Sequence, residues 1–310
     1  MHDSTDTPVG AGPSATDIFN FDLNGFLILR EALTRDNVAA CNAVLDELMG
    51  LTPPLTPGEW VGAVHAHTYS GTEGVNLQQI YEAGAPFECL IDHPAWIEKV
   101  KHFVGGQNGF DAKHGPLFID ENFASIRGPG EAIGIHSGGQ DRTKRTQFRQ
   151  FNGKFFCGQV NILMALTDIG PGDGGTMVIP GSHKANFVHP GLGAHSMGRD
   201  GEKLPGADGM PGAQEVHLKA GDALLFVDAL MHGSATRVNE GQRRITVYRY
   251  GASWGNFRHP YYPSDELLER LTPARRKTVL PQQPIKRQPN RIADYPDPPH
   301  AVSSDRYTGG

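Results

Sequence analysis

Cysteine is scarce in this chain. Cys41, Cys89 and Cys157 are all it has, and they are too few, too scattered and odd in number for a disulfide framework. A reducing, cytoplasmic setting is the expectation that follows. Long apolar runs are missing too: none approaches the roughly 20 residues that span a bilayer. The polar opening from Met1 to Thr16 has no apolar core of a signal peptide. Positive charge is not in excess either. With 28 Lys and Arg against 34 Asp and Glu the net charge is −6, so no global field favours a nucleic-acid polymer or an anionic membrane. A small-molecule partner is the class left open.

Glycine and proline are plentiful, at 39 and 23 residues, and imply the many turns of barrels and jelly rolls. Residues 1–15 are rich in Ser, Thr, Gly and Pro and are expected to be disordered. Around Asn24-Gly25 a turn leads into the apolar run Phe26-Leu27-Ile28-Leu29, a short buried strand. Thr34 then caps a helix whose apolar positions run from Val38 to Leu48 at helical spacing, with Gly50 as its stop. A second helix is expected through Asn76–Tyr81. A third follows Pro94, with Trp96, Ile97, Val100 and Phe103 on one face and Gly105-Gly106 ending it.

From about Gly115 the pattern changes to short strands. The candidates are Leu117–Asp120, Phe123–Arg127, Ile133–His136, Lys154–Leu166, Thr176–Ile179, Glu215–Leu218, Ala223–Asp228 and Arg244–Tyr250. Helices followed by many strands predict a mainly β member of the α+β class, with a sandwich or barrel core and flanking helices. Residues 16–280 are read as one domain. The Gly- and Pro-rich stretch 188–214 is expected to form a lid-like loop. A last helix is expected over Ser264–Lys277, before an extended Pro-rich tail, 281–310.

Of the 14 histidines, two stand out by context. His136 and His232 each end an apolar strand-like run and are each followed by small residues. Such a pair suits a mononuclear iron site, whose third protein ligand would be a carboxylate two residues after the first histidine. That position is Gly138. His65, His67, His93 and His102 read as surface or locally hydrogen-bonded residues, and His183 as the stabiliser of a turn.

The segment Phe156–Phe187 resembles the phytanoyl-CoA dioxygenase family, through Gly172-Asp173-Gly174-Gly175 followed by Val178-Ile179-Pro180-Gly181-Ser182-His183. His232-Gly233-Ser234 followed by Arg243, the opening Asn24–Leu29 and the surroundings of Asp92-His93-Pro94 match the same pattern. The resemblance spans roughly residues 18–260. It implies a double-stranded β-helix of the jelly-roll, cupin-like kind with an N-terminal helical layer, and an Fe(II)/2-oxoglutarate-dependent oxidoreductase with O2 as cosubstrate. Iron would be held by His136 and His232, and 2-oxoglutarate by Arg243. A planar, permanently charged guanidinium fits a distal carboxylate. Ser234 lies on the same strand face as His232 and adds a hydroxyl; Gln159 and Asn161, on one face of their strand, are further cosubstrate candidates. Arg244 adjoins Arg243, and alternation allows only one of the two to point inward.

Gly138 leaves three readings open. The first extends the resemblance to Fe(II)/2-oxoglutarate halogenases, in which H-x-G or H-x-A lets chloride bind iron and recombine with a substrate radical. In the second the protein is a hydroxylase with water, or a carboxylate such as Asp141, in the third place; Asp141 has the wrong parity for an extended strand and needs a turn at Gly138-Gly139. The third is a non-catalytic binding module. Next to the iron strand, Arg142, Lys144, Arg145, Arg149 and Lys154 accompany a single acid, Asp141. This local basic cluster reads as a patch for a phosphorylated small molecule such as a nucleotide. Phe118, Phe123, Phe148 and Trp254 are candidate pocket walls, with core packing the commoner role for such residues.

Overall fold

A computed structural model of the chain describes residues 10–67, 73–105, 115–141, 143–196, 206–252 and 261–280. Of residues 1–15, expected to be disordered, 1–9 lie outside it, as does the tail 281–310, while Ser14 and Ala15 already belong to the capped start of a helix. The chain opens with helix α1 (Ala15–Asn24), where the sequence showed only the Asn-Gly turn that ends it. Ser14 and Asp17 form a capping box at its start, which satisfies two otherwise orphaned backbone donors. Strand β1 (Phe26–Leu29) is wholly buried. Helix α2 (Arg35–Met49) starts at Thr34 with a second capping box, to Asn37, and stops at Gly50, as its apolar spacing requires.

Next come strands β2 (Trp60–Val61), β3 (Val64–His67) and β4 (Val75–Gln78). The helix expected through Asn76–Tyr81 is therefore a strand followed by a 3-10 turn, Ile80–Ala83. Pairing with a neighbouring strand buries Leu77 fully, and Gln79 at φ +60° interrupts any helical continuation. Two helices follow, α3 (Ala85–Glu88) and α4 (Ile97–Val104), the latter ending at Gly105 as expected.

The β region begins with β5 (Leu117–Arg127), one continuous buried strand where the sequence suggested two. After it come β6 (Ile133–His136), β7 (Gln150–Phe151), β8 (Lys154–Phe155), β9 (Gln159–Ala165) and β10 (Thr176–Val178). A short helix α5 (Leu192–His195) lies within the 188–214 stretch, ahead of β11 (Gln214–Val216), β12 (Ala223–Val227), β13 (His232–Ser234) and β14 (Arg243–Ala252). The helix expected over 264–277 is two, α6 (Asp265–Arg270) and α7 (Pro273–Val279), because Pro273 has no N–H with which to continue α6.

Eight strands form one antiparallel sheet in the order β1-β12-β9-β14-β5-β4-β3-β2, four form a second, β11-β10-β13-β6, and β7 pairs with β8. This is the expected α+β fold with a jelly-roll core. The helices cover the outer face of the large sheet: Tyr248 donates to the carbonyl of Phe87 at 2.6 Å, and Trp96 donates to the hydroxyl of Tyr250 at 3.2 Å. The inner face meets the small sheet through Arg243 and Arg127, which reach Thr176 and Ser234 there. No helix among the described residues is long and apolar enough to cross a membrane.

Candidate metal and cosubstrate site

Strands β6 and β13 pair antiparallel with His136 directly opposite His232. Gly233 permits this pairing, since a β carbon there would lie 2.8 Å from the carbonyl of Ile133. The two imidazole centroids are 4.1 Å apart. His136 Nδ1 faces the carbonyl of Gly134 at 3.0 Å, and His232 Nδ1 faces that of Leu230 at 2.7 Å. A carbonyl can only accept, so each Nδ1 carries the hydrogen and each Nε2 keeps a lone pair for a metal. Burial pushes His232 down to about 4. It holds His136 well below the usual imidazole range too, with further pressure from His232. Both rings are thus neutral near pH 7, the form that ligates.

The third position departs from the usual triad geometry. β6 ends at His136, Ser137 turns to φ +63° and Gly138 to φ +123°, so residues 136 and 138 do not share an extended strand face. The turn that an Asp141 ligand would need is present, with the Asp141 N–H donating to the carbonyl of Gly138 at 3.0 Å. Its carboxylate nevertheless lies 4.0 Å from Arg145 Nη2. Among the described residues no group of three His, Cys, Asp or Glu side chains is placed to hold a metal. Asp141 is therefore not brought to the histidines. The space over Gly138 instead receives the carboxamide of Gln140. A β carbon on Gly138 would lie 2.3 Å from Gln140 Oε1, an oxygen that is buried without a hydrogen-bond partner. Sequence alone gave Gln140 no role.

Across the inner face, Arg243 on β14 pairs in register with Arg127 on β5. Arg244 points the other way, to Asp46 at 2.7 Å. Arg243 is 1 % exposed. Its Nη2 donates to Thr176 Oγ1 at 3.3 Å, while Nε and Nη1 have no partner. Arg127 donates to Ser234 Oγ at 2.5 Å and to the carbonyl of Glu73 at 3.1 Å. Ser234 Oγ also accepts the N–H of Ile133 at 2.8 Å, which leaves its own proton free to donate. Burial, then the neighbouring Arg127 and Arg237, drives Arg243 well below the usual guanidinium range. Arg127 falls to about 10, chiefly by burial. Two adjacent buried guanidiniums, one with orphaned donors, form a cradle that a carboxylate completes. The donor set fits 2-oxoglutarate. Arg127 and Thr176 were not legible beforehand, because only the register sets them beside Arg243.

Gln159 and Asn161 are both wholly buried on the inner face. Gln159 donates to Asp120 at 2.8 Å, and Asn161 donates to Asp228 at 3.0 Å. Asp228 also receives Arg145 at 2.5 Å and Arg249 at 3.4 Å. Of the basic cluster, Arg145 alone is shown reaching this inner network. Lys144, Arg149 and Lys154 are exposed; Arg142 and Trp254 lie outside the described residues. Phe148 packs against Phe21, Phe155 and His183, and Phe123 lies under the guanidinium of Arg249 at 5.6 Å.

The phytanoyl-CoA dioxygenase (PhyH) family profile matches residues 21–245. The chain belongs to that family. Membership agrees with the Fe(II)/2-oxoglutarate-dependent chemistry that the resemblance implies. Over 121 residues it is 27% identical to "Dioxygenase cdmD" of Talaromyces verruculosus, a match covering 39% of this chain and 35% of that relative. HygX from Streptomyces hygroscopicus, solved with nickel and 2-oxoglutarate bound, has a similar fold. Its TM-score is 0.64 at 23% identity, over 83% of this chain and 94% of HygX. EctD from S. alaskensis, in its apoform, aligns with a TM-score of 0.56 at 16% identity, over 84% of this chain and 89% of that one.

Proposed function

We propose that this oxygenase is a halogenase that chlorinates an unactivated C–H bond of a small molecule. The observation that carries the reading is the pair of facing neutral histidines with a glycine where the third protein ligand would be, and, among the described residues, no carboxylate placed to complete a three-ligand metal group with them. Fe(II) and 2-oxoglutarate, when bound, supply dioxygen activation and removal of the substrate hydrogen. The overall reaction balances as substrate C–H, chloride, a proton, O2 and 2-oxoglutarate giving the C–Cl product, succinate, CO2 and water.

The chain's own residues divide the remaining work. His136 and His232 present Nε2 to the metal. Arg243, with Thr176, Ser234 and Arg127 around it, anchors the distal carboxylate of 2-oxoglutarate. Asp228, held by Arg145, Arg249 and Asn161, fixes the floor beside His232, and Arg145 is the member of the basic cluster that reaches this floor and would meet an anionic substrate group, such as a phosphate. Gln159 sits one strand position further along the same face.

One observation favours hydroxylation instead. The Gln140 carboxamide stands over Gly138, and its unpartnered oxygen suits a neutral third ligand, which would leave no position for chloride. An anaerobic absorption titration with Fe(II) and 2-oxoglutarate, with and without chloride, separates the two. A charge-transfer band that shifts with chloride supports halogenation. A band indifferent to chloride in wild type but altered in Gln140→Ala supports the hydroxylase. No band at all would leave a non-catalytic binding module.

A further inference from the structure

The inner face of the large sheet continues past the iron histidines along strands that carry no assigned role. Register places Trp60 opposite His65, His65 opposite Gln78, His67 opposite Asn76, and Asn76 opposite Ser125. Directly opposed residues share a face, so Trp60, His65, His67, Asn76 and Gln78 lie on the same inner face as Arg243 and Arg249. His65 and His67, taken from sequence as surface or local residues, are therefore half-buried members of this ledge.

Contacts join the ledge to the metal site. Gln78 Nε2 donates to Asn76 at 3.1 Å and to Glu121 at 3.2 Å. Glu121 pairs with Arg249 at 3.0 Å, and Arg249 reaches Asp228 at 3.4 Å. At the outer end the indole of Trp60 stacks on His65, 4.4 Å between centroids and 21° between planes. His65 Nδ1 is 3.0 Å from the hydroxyl of Tyr261, whose ring stands edge-on to Trp60 at 5.8 Å. Trp60 is nonetheless 52 % exposed.

We propose that this ledge is the distal part of the substrate site and takes a flat, uncharged heteroaromatic ring stacked on the open face of Trp60. Three features carry this. The imidazole of His65 already occupies one face of the indole in a parallel stack, and a second ring on the other face repeats that geometry. The charges along the ledge cancel, with Glu121 and Asp228 against Arg249 and Arg145, so the surface suits an uncharged group bearing hydrogen-bonding edges. The span also fits: strands lie roughly 4.8 Å apart, so four strand steps from β14 to Trp60 on β2 cover about 19 Å, the length of an extended multi-ring molecule. The proposal rests on the oxygenase site and is independent of whether the product is halogenated or hydroxylated.

The test uses the full metal-free chain with adenine as the heteroaromatic probe and methyl glucoside as a sugar probe. Binding is read by saturation-transfer NMR and equilibrium titration for wild type, Trp60→Ala and Trp60→Phe. Adenine is expected to bind, with affinity at least about tenfold weaker in Trp60→Ala (roughly 1.4 kcal/mol) and largely kept in Trp60→Phe. Absence of adenine binding, equal binding by Trp60→Ala, or binding of methyl glucoside alone would each overturn the proposal. The Fe(II)/2-oxoglutarate absorption band, followed in parallel, tests the metal site separately. Its loss in wild type would remove the oxygenase site and leave the adenine result standing.

Discussion

The hydroxyl of Ser182 accepts the backbone N–H of Met231 at 2.8 Å, one residue before His232, a proposed metal ligand. The carbonyl of the same serine accepts the N–H of Gly139 at 3.0 Å, just after Gly138. Ser182 thus ties together the two segments that carry the histidines. In Ser182→Ala the Met231 amide is left buried without a partner, at a cost of about 1–3 kcal/mol. We expect a lower Tm and weaker Fe(II) affinity, with Ser182→Thr restoring both. Unchanged Fe(II) binding in the alanine variant, measured by titration, would remove the positioning role.

Arg243 is buried with two orphaned donor nitrogens, a cost that 2-oxoglutarate relieves on the proposed reading. Replacing it with methionine removes a buried guanidinium with orphaned donors and fills much of the same volume. The expected result has two parts. The unliganded variant melts at or above the wild-type temperature, and 2-oxoglutarate no longer raises its Tm. Wild type should gain about 2.7 kcal/mol at a ligand concentration a hundredfold above Kd. A variant still stabilised by 2-oxoglutarate would place the cosubstrate elsewhere.

The expected fold and histidine pair were readable because they rest on local patterns: apolar runs of strand length, capping residues such as Thr34, and small residues after His136 and His232. What escaped depends on pairing between distant segments. The strand Val75–Gln78 resembled a helix until its partner β5 fixed the alternation. Arg127 and Thr176 join Arg243 only through strand register, and Asp228 becomes a junction only once Arg145, Asn161 and Arg249 converge on it. Gln140 was invisible for another reason: strand logic assigns residue 138 to the metal face, and the backbone leaves the strand one residue earlier.

That departure changes what a substitution at Gly138 should do. At φ +123° any side chain is strained, and a β carbon would collide with Gln140. Gly138→Asp is therefore expected to lose Fe(II) rather than to become a clean hydroxylase. Gln140→Glu is the informative change, because it puts a carboxylate where the carboxamide already sits. It should retain Fe(II) and 2-oxoglutarate while its absorption band stops responding to chloride. A band in Gln140→Glu that still shifts with chloride would show that residue 140 stands away from the halide position.

His183 provides a pH dependence separate from that of His136 and His232. It is 2 % exposed, its Nε2 lies 3.1 Å from the carbonyl of Asp22, and its Nδ1 is buried without a partner. Burial pushes it down to about 4 from an ordinary 6.5, with Lys184 adding to the effect. Because the folded pKa is depressed, the unfolded chain takes up this proton first as the pH falls. The contribution is fully present above about pH 6.5 and is lost between there and about pH 4, on the order of 3 kcal/mol in all. Urea melts of the metal-free protein at pH 7, 5.5 and 4.5 should show stability falling with pH. In His183→Gln, which keeps a donor for Asp22 and cannot be protonated, that fall should be shallower by the His183 share. Parallel pH profiles for the two proteins would mean that His183 is protonated in the folded state as easily as in the unfolded one.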